Sequence, residues 1–499
     1  MRKLLFILIL NSLVATAQNF NLASISNGEY LIFSAIFDQN QKLYGYFSLY
    51  DLGKVNATEK EFEFVILDKN LNKILSNKVV FAKEIIYLVP YINVDGNLVL
   101  SPQVGYNITK DFVMPRSKKL DLKTNVIEDY IFYCYEDNQF VDCPENKSFR
   151  EKRAELRKSK REKEYIDDSD VWRLKNNNFL VLTKKDYFKY TKDNELIYFD
   201  QYKKEMWSFK YNLDGSKKNT EALNVMHYND DKLYAILRSK IKEDITNYII
   251  IFDTKTGTII KKEEVKGFEK VTLNSYDNST SMYYNNDNYV FLFNYLYTKS
   301  GVMGYLTTKI NKKTNEITHH KLEYEKNLKN FLPKINKLGY VENGYYLNLK
   351  DVFFMEDGSI KLLTEKFKAA GQYNRMKTTD MVFIATNSNF EVELVKTLEK
   401  EKSKNEYSDY MFSQEINDKK DVVFFYKDFQ KDDETKDKNW FLFINTLING
   451  AFNQEQVTIS SKNDKYISIP YIAKEGYILL REYNEKEKYN EIRLERLNY

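Results

Sequence analysis

The sequence is poor in the residue types that most often carry chemistry at protein sites. It has two cysteines, three histidines, three tryptophans and six prolines among 499 residues. Three histidines leave few candidates for an imidazole metal site or for a serine-histidine-aspartate triad. The sequence also lacks the G-x-S-x-G, G-x-G-x-x-G, P-loop, H-E-x-x-H and EF-hand patterns. We therefore expect no cofactor and no metal, and the motifs nominate no catalytic residue.

A charge excess and long apolar runs are missing as well. The 76 basic and 72 acidic residues nearly cancel, which argues against a nucleic-acid partner. Beyond the first residues, no apolar run is long enough for a transmembrane helix. Hydrophobic residues still make up 43% of the chain, which is ample for a large core. We expect a mature monomer without a transmembrane segment.

The first 17 residues have the three parts of a secretory signal. Arg2 and Lys3 form a basic start, Leu4–Val14 is apolar, and Ala15-Thr16-Ala17 is an A-x-A cleavage site. This arrangement predicts cleavage near Ala17–Gln18 and an extracytoplasmic location, periplasmic or secreted. An uncleaved, buried N-terminal segment is the alternative.

The two cysteines lie in one hairpin-like stretch. If Asn138 and Gln139 form a two-residue turn, Cys134 faces Cys143 at a non-hydrogen-bonded position, where side chains of paired strands are closest. That geometry suits a disulfide, and export permits one. We predict the disulfide Cys134–Cys143, with two unpaired cysteines in a loop as the alternative.

Short runs of β-branched and aromatic residues, each followed by turn residues, recur along the chain. The clearest unit is the run Tyr248–Phe252, the turn Asp253–Gly257 and the return strand Thr258–Ile260. Comparable runs recur at intervals of roughly 60 residues, and helices long enough for an α/β fold are almost absent. The other runs are Asn97–Leu100, Phe179–Leu182, Leu233–Leu237, Tyr289–Phe293, Ile360–Leu363, Val422–Tyr426 and Tyr477–Leu480.

Many of these runs are apolar on both faces, as in Ile249–Ile251, Val290–Phe293 and Val422–Phe425. A two-layer sandwich would show alternation of apolar and polar residues, whereas blades stacked around an axis bury both faces. The pattern predicts an all-β fold, a β-propeller of about seven blades, with six or eight as alternatives. The last unit offers three strands, so Asn19–Ile25 could supply the fourth and close the ring.

One charged segment, Pro144–Asp170, interrupts the strand pattern. It is rich in lysine, arginine and glutamate without an apolar stripe. We interpret residues 144–170 as a solvated helical or disordered insertion between blades. The alternative is a basic arm at Lys147–Lys163 that meets an acidic polymer or a membrane surface, which would suit an envelope-associated protein.

The strand–turn–strand units and the closure of the ends resemble β-propellers in general. The signal and the turn Asp68–Asn72 resemble those of secreted bacterial proteins without an assigned activity. The resemblance covers Asn19–Tyr499, and it implies that residues 18–499 form a single propeller domain. The sequence lacks the Trp-Asp dipeptide and the Gly-Gly doublet of named blade families, so no functional residue of those families can be assigned to a position in this chain.

The resemblance implies an exported, non-catalytic binding or scaffold protein with an unknown protein or glycan ligand, because propellers present many loops around one axis. The alternative is an extracytoplasmic polysaccharide-active enzyme, a glycosidase or lyase, with carboxylates at the propeller channel. An inward cluster of at least two carboxylates with a raised pKa would distinguish the enzyme from the binding protein.

Overall fold

The computed structural model shows a chain built from short antiparallel strands. It describes residues 20–39, 42–105, 111–136, 138–142, 148, 150–151, 154, 157–158, 167–185, 194–212, 219–242, 244–265, 281–298, 301–332, 334–370, 375–405, 409–431, 434, 438–459, 467–484 and 489–497. Contacts divide the chain into two compact units. Unit 1 comprises the chain up to Tyr130, Lys431–Phe441 and Val457–Tyr499, and unit 2 comprises Ile131–Gln430 and Leu442–Gln456.

Three four-stranded sheets belong to unit 1, and in each of them consecutive strands pair. Sheet 1 contains β2 (Glu29–Phe37), β3 (Leu43–Lys54), β4 (Glu59–Asp68) and β5 (Lys73–Ala82). Sheet 2 contains β6 (Ile85–Ile92), β7 (Leu98–Val104), β8 (Lys118–Leu120) and β9 (Ile127–Asp129). Sheet 8 contains β33 (Ile467–Ile472), β34 (Tyr477–Asn484), β35 (Tyr489–Arg496) and β1 (Phe20–Asn21).

Unit 2 begins with the hairpin β10 (Tyr133–Glu136) and β11 (Gln139–Asp142). Sheet 3 contains β12 (Asp167–Arg173), β13 (Phe179–Lys185), β14 (Asn194–Phe199) and β15 (Glu205–Tyr211). Sheet 4 contains β16 (Asn219–Tyr228), β17 (Lys232–Ile241), β18 (Asp244–Asp253) and β19 (Ile259–Glu264). Sheet 5 contains β20 (Ser281–Asn285), β21 (Tyr289–Thr298), β22 (Gly301–Asn311) and β23 (Ile317–Glu323).

Sheet 6 has five strands: β24 (Tyr346–Phe354), β25 (Ile360–Ala370), β26 (Arg375–Thr386), β27 (Val392–Leu398) and β28 (Ser403–Asn405). Sheet 7 contains β29 (Tyr410–Ile416), β30 (Asp421–Lys431), β31 (Lys438–Ile448) and β32 (Ala451–Thr458). Short helical turns occur at Leu22–Ser24, Tyr324–Leu328 and Glu342–Gly344. The described residues therefore form eight sheets of at least four strands, as an all-β chain.

The continuous apolar runs are buried on both faces, as predicted. Ile249–Phe252 is fully buried, and alternate side chains of β18 enter two different clusters. Ile250 and Phe252 pack with sheet 3, whereas Ile249 and Ile251 pack with sheet 5. Each such side chain contributes roughly 1.5–3 kcal/mol on burial. Sheet 4 is therefore stabilised by a neighbour on each face.

The same alternation links the other sheets within each unit. Phe291 packs with sheet 6 while Leu292 packs with sheet 4. In unit 1, Phe64 of sheet 1 packs with sheet 2, and Val65 packs with sheet 8. The first strands of neighbouring sheets also contact each other: β2 with β6 and β33, β16 with β20, and β24 with β29. Within each unit, neighbouring sheets therefore pack face to face, and in four of these pairs the first strands are in contact.

The N-terminal strand pairs with the last strand, as predicted, but it is shorter than predicted. Phe20 lies opposite Ile492 and Asn21 lies opposite Glu491. The chain then leaves the sheet at Leu22, which is fully buried and accepts a hydrogen bond from the Tyr50 hydroxyl at 2.7 Å. Burial of Leu22 in the core between sheets 1 and 8 replaces further strand pairing.

The predicted register of the cysteine hairpin is wrong by two residues. Glu136 lies opposite Gln139, and Cys134 lies opposite Val141. Asn138 adopts a left-handed conformation with φ of 62°, which asparagine tolerates, and the turn is therefore centred one residue earlier than predicted. Cys143 lies outside the described residues, so the disulfide stays a prediction.

The charged insertion is partly described. Arg150, Glu151, Ala154, Arg157 and Lys158 are helical, and the remaining residues of 144–166, apart from Ser148, lie outside the described set. The Ser148 hydroxyl donates to Glu151 Oε2 at 2.8 Å, a capping box that the S-F-R-E sequence could have revealed. Strand β12 begins at Asp167, within the range predicted for the insertion, and the insertion as a whole stays a prediction.

The predicted signal peptide, residues 1–17, also lies outside the described residues and stays a prediction. Among the helices that the structure does describe, none has the length and apolar content needed to cross a bilayer.

Candidate functional site

A polar cleft of about 710 Å³ opens in unit 2. We call it the charged cleft, because five carboxylates and three ammonium groups line it together with Tyr345, Thr379, Phe429, Gln430 and Phe443. The charged residues are Glu342, Lys366, Asp380, Glu399, Lys400, Glu401, Lys402 and Asp428. Sheet 6, the loop after β27 and strand β30 supply most of this lining.

The floor of the charged cleft contains a buried ion network. The Lys400 side chain is fully buried, and its Nζ lies 2.6 Å from Asp409 Oδ2 and 3.6 Å from Glu365 Oε1. Lys350 Nζ lies 3.2 Å from the other oxygen of the fully buried Glu365. Two ammonium groups and two carboxylates thus balance one another. Mutual attraction and hydrogen bonding offset the high cost of burying each charge.

The short strand β28 holds this network in place. Its Ser403 lies opposite Thr378 of β26, and the two hydroxyls are 2.6 Å apart. The Ser403 hydroxyl donates to Asp409 Oδ2 at 2.7 Å, and Lys400 Nζ donates to Thr378 Oγ1 at 3.4 Å. A buried network with this many satisfied partners is rigid, so the cleft floor is preorganised.

One wall carries an ion pair and a carboxyl whose pKa is raised by burial. Lys366 Nζ lies 2.7 Å from Asp380 Oδ2. Asp428 accepts the backbone N–H of Glu401 at 3.1 and 3.2 Å. Burial raises the pKa of Asp428, while backbone N–H donors and the Lys400 charge act in the opposite direction.

Two carboxylates at the cleft are engaged by lysines. Asp380 pairs with Lys366, and Asp409 pairs with Lys400. The exposed charged residues of the lining, which form the rim, are Glu399, Glu401 and Lys402, and Gln430 is exposed as well. The rim therefore has an acidic excess, and the floor offers fixed donors and acceptors.

A second group of polar side chains lies on adjacent first strands of sheets 6 and 7. Asp351 Oδ2 of β24 accepts the hydroxyl of Tyr410 at 2.8 Å and that of Ser413. Glu415 of β29 lies 3.9 Å from Lys419. Burial raises the pKa of the Glu415 carboxyl, Lys419 opposes this rise, and Asp351 adds to it. The fold therefore brings together two carboxyls that the sequence could not nominate.

The three histidines occupy different environments. His319 Nδ1 is 2.9 Å from Thr308 Oγ1, whereas the neighbouring His320 stacks on Phe390 with ring centroids 4.0 Å apart. These two residues are consecutive in β23, so their side chains point to opposite faces of the sheet. Burial lowers the pKa of His227 to about 4. No group of three histidine, cysteine, aspartate or glutamate side chains among the described residues could hold a metal ion.

Residues 402–498 match a family model described as "Family of unknown function (DUF6770)". No curated protein matches the chain. Similar solved structures include the WD40 domain of SCAP from fission yeast, with 9% identity and a TM-score of 0.34 over 96% of this chain and 94% of that chain. The chain resembles β-propeller proteins in fold.

Two further structures illustrate the range of proteins with this likeness. The β-propeller domain of the Trilobed protease from Pyrococcus furiosus shows 12% identity and a TM-score of 0.32, covering 88% of this chain and 98% of that chain. Rhamnogalacturonan lyase YesW shows 9% identity and a TM-score of 0.28, covering 93% and 90%. Likeness at this level carries no argument about activity.

Proposed function

We propose that the eight sheets are propeller blades, that β1 closes the ring, and that the chain is exported after cleavage near Ala17–Gln18 to act as a non-catalytic binding protein. Two features support the architecture: neighbouring sheets bury both faces against each other within each unit, and the first strands of several neighbouring sheets are in contact. Pairing of β1 with β35 supports the closure. The proposal takes eight blades, which the sequence left as an alternative to about seven.

The binding role rests on the buried ion network beneath the charged cleft. Lys400 forms ion pairs with Asp409 and Glu365, and Lys366 forms one with Asp380. These contacts compensate the buried charges and fix the polar surface beneath the rim. Because the exposed rim is richer in carboxylates than in lysines, the ligand that fits is a basic segment of a partner protein.

We expect the double substitution Glu399→Lys and Glu401→Lys to weaken binding of a fluorescent oligolysine peptide by about tenfold or more, because it reverses the charge of the rim. Both side chains are exposed, and the backbone N–H that Glu401 donates to Asp428 is retained. Fluorescence anisotropy at low and moderate salt measures the change.

The matched control is Glu264→Lys with Glu455→Lys, which changes the net charge equally at two exposed positions in strands β19 and β32. The control should bind the peptide as the unchanged protein does. Equal weakening in both double variants would mean that only net charge matters, and absence of any binding by the unchanged protein would reject the proposal.

The polysaccharide-active alternative is supported by one observation, the proximity of Asp351 and the Glu415 carboxyl with its raised pKa. A carboxyl with a raised pKa next to a hydrogen-bonded carboxylate suits a general acid and its partner. If the protein is such an enzyme, it should depolymerise at least one member of a polysaccharide panel, and Glu415→Gln should reduce that rate by about 100-fold or more.

Reducing-sugar release and absorbance of unsaturated products separate hydrolysis from elimination. Glu356→Gln, in the exposed turn between β24 and β25, is the control and should leave any rate unchanged. Absence of turnover across the panel would remove this alternative and leave the binding role.

A further inference from the structure

Arg481 is a nearly buried cation in unit 1, and its two inner nitrogens have fixed partners. Only 8% of the residue is exposed. Its Nε donates to Asn490 Oδ1 at 2.6 Å, and Nη1 donates to the Tyr471 hydroxyl at 3.4 Å. Asn490 is itself buried. These two contacts fix the plane and the direction of the guanidinium group.

Aromatic rings enclose the same guanidinium group. Its central carbon lies 4.5 Å from the ring centroid of Tyr30 and 5.1 Å from that of Tyr483. These separations are within the range of cation–π attraction. Tyr30 belongs to β2 and Tyr483 to β34, so two neighbouring sheets of unit 1 supply the enclosure.

A carboxylate counterion is missing from the described surroundings of Arg481. Arg493, on the next strand β35, does have carboxylate partners. Arg493 contacts Glu482 Oε2 at 2.5 Å and Glu495 Oε1 at 2.7 Å. Among the described residues, no aspartate or glutamate forms an ion pair with Arg481. A charge this deeply buried is costly unless an opposite charge or several acceptors compensate it.

Several donors beside Arg481 remain available. Among the described residues, nothing accepts a hydrogen bond from Arg481 Nη2 or from the hydroxyls of Tyr30 and Tyr483, and none of these atoms is sealed from solvent. The Tyr471 hydroxyl accepts from Nη1, which leaves its own proton free to be donated. Burial raises the pKa of the Tyr30 hydroxyl, and the Arg481 charge opposes this rise.

We propose that Arg481 and the hydroxyls of Tyr30, Tyr471 and Tyr483 form a binding site for an oxyanion. The ligand carries a carboxylate, sulfate or phosphate group, whose oxygens accept from Nη2 and from the surrounding hydroxyls. Because Nε and Nη1 are already occupied, the anion binds the Nη2 end rather than forming a two-nitrogen fork. This site is independent of the charged cleft, whose acidic rim favours cations.

Thermal unfolding and titration calorimetry with sodium glucuronate, sulfate and phosphate test this site, with sodium chloride at matched ionic strength as the reference. At least one oxyanion should raise the unfolding temperature, because a ligand that binds the folded state stabilises it. The anion that binds most tightly identifies the source as a sugar acid, a sulfated group or a phosphorylated group.

Two kinds of variant make the test specific. Arg481→Lys should abolish the shift, whereas Arg493→Lys, the same change one strand away, should keep it. Tyr30→Phe and Tyr483→Phe retain the rings over the guanidinium and remove one donor each, so each should weaken binding by roughly 3- to 10-fold. Equal responses of Arg481→Lys and Arg493→Lys, or no oxyanion effect beyond chloride, would show that Arg481 is purely structural.

Discussion

Replacing Lys400 with methionine is expected to lower the free energy of unfolding by about 3–5 kcal/mol, because it removes the positive charge beside two buried carboxylates. Asp409 would lose its 2.6 Å contact, and Glu365 would lose the ammonium group 3.6 Å away while keeping Lys350. Because methionine fills most of the lysine volume, the lost free energy of unfolding is due to the missing charge and not to a cavity. Equilibrium unfolding in urea at neutral pH measures the change.

A lysine in an exposed ion pair supplies the control for this experiment. Lys255 lies 3.1 Å from Asp231, with side chains 73% and 75% exposed. Lys255→Met should change the free energy of unfolding by less than about 1 kcal/mol, because water screens exposed pairs. Similar losses in the two variants would show that Lys400 does not compensate buried charge in the way that we infer.

The strand pattern could be predicted because it depends on local sequence. Ile249–Phe252 is continuously apolar, and such a run has to be covered on both faces wherever the chain places it. The structure covers it on both faces. The register of the cysteine hairpin could not be predicted, because it depends on a single backbone angle. Asn138 has a positive φ, and the observed pairing differs from the predicted pairing by two residues.

The charged cleft could not be predicted, because its residues are far apart in sequence. Lys400 lies in an alternating charged stretch that is typical of a solvated loop, and only the pairing of β28 with β26 places it beside Glu365 and Asp409. A weaker signal was present: Glu365 and Lys366 occupy the middle of β25, where apolar residues precede them. A charge inside an apolar strand indicates a buried partner.

The same signal was present at Arg481, which follows four apolar residues in β34. The sequence could not show whether its neighbours would be carboxylates or tyrosines, because Tyr30 and Tyr471 come from other strands. The neighbours of a buried cation determine whether its charge is compensated. In unit 2 the buried lysines are paired with carboxylates, whereas in unit 1 Arg481 is surrounded by phenol groups and can still bind an anion.

The N-terminal segment should be essential for the stability of unit 1. We expect deletion of residues 18–25 to lower the free energy of unfolding by more than Leu22→Ala, which alone should cost about 2–5 kcal/mol. Leu22 is fully buried in the core between sheets 1 and 8, and its carbonyl accepts the Tyr50 hydroxyl. Deletion also removes the partner of β35.

Urea unfolding compares the deletion, Leu22→Ala and the control Val55→Ala, whose side chain is 57% exposed in a turn and should contribute little. The deletion should also associate as protein concentration rises, because it exposes the hydrogen-bonding edge of β35; analytical ultracentrifugation detects this. If the shortened chain unfolds at the same urea concentration as the full chain and stays monomeric, β1 neither stabilises unit 1 nor protects its edge, and closure of the propeller by the N-terminus is wrong.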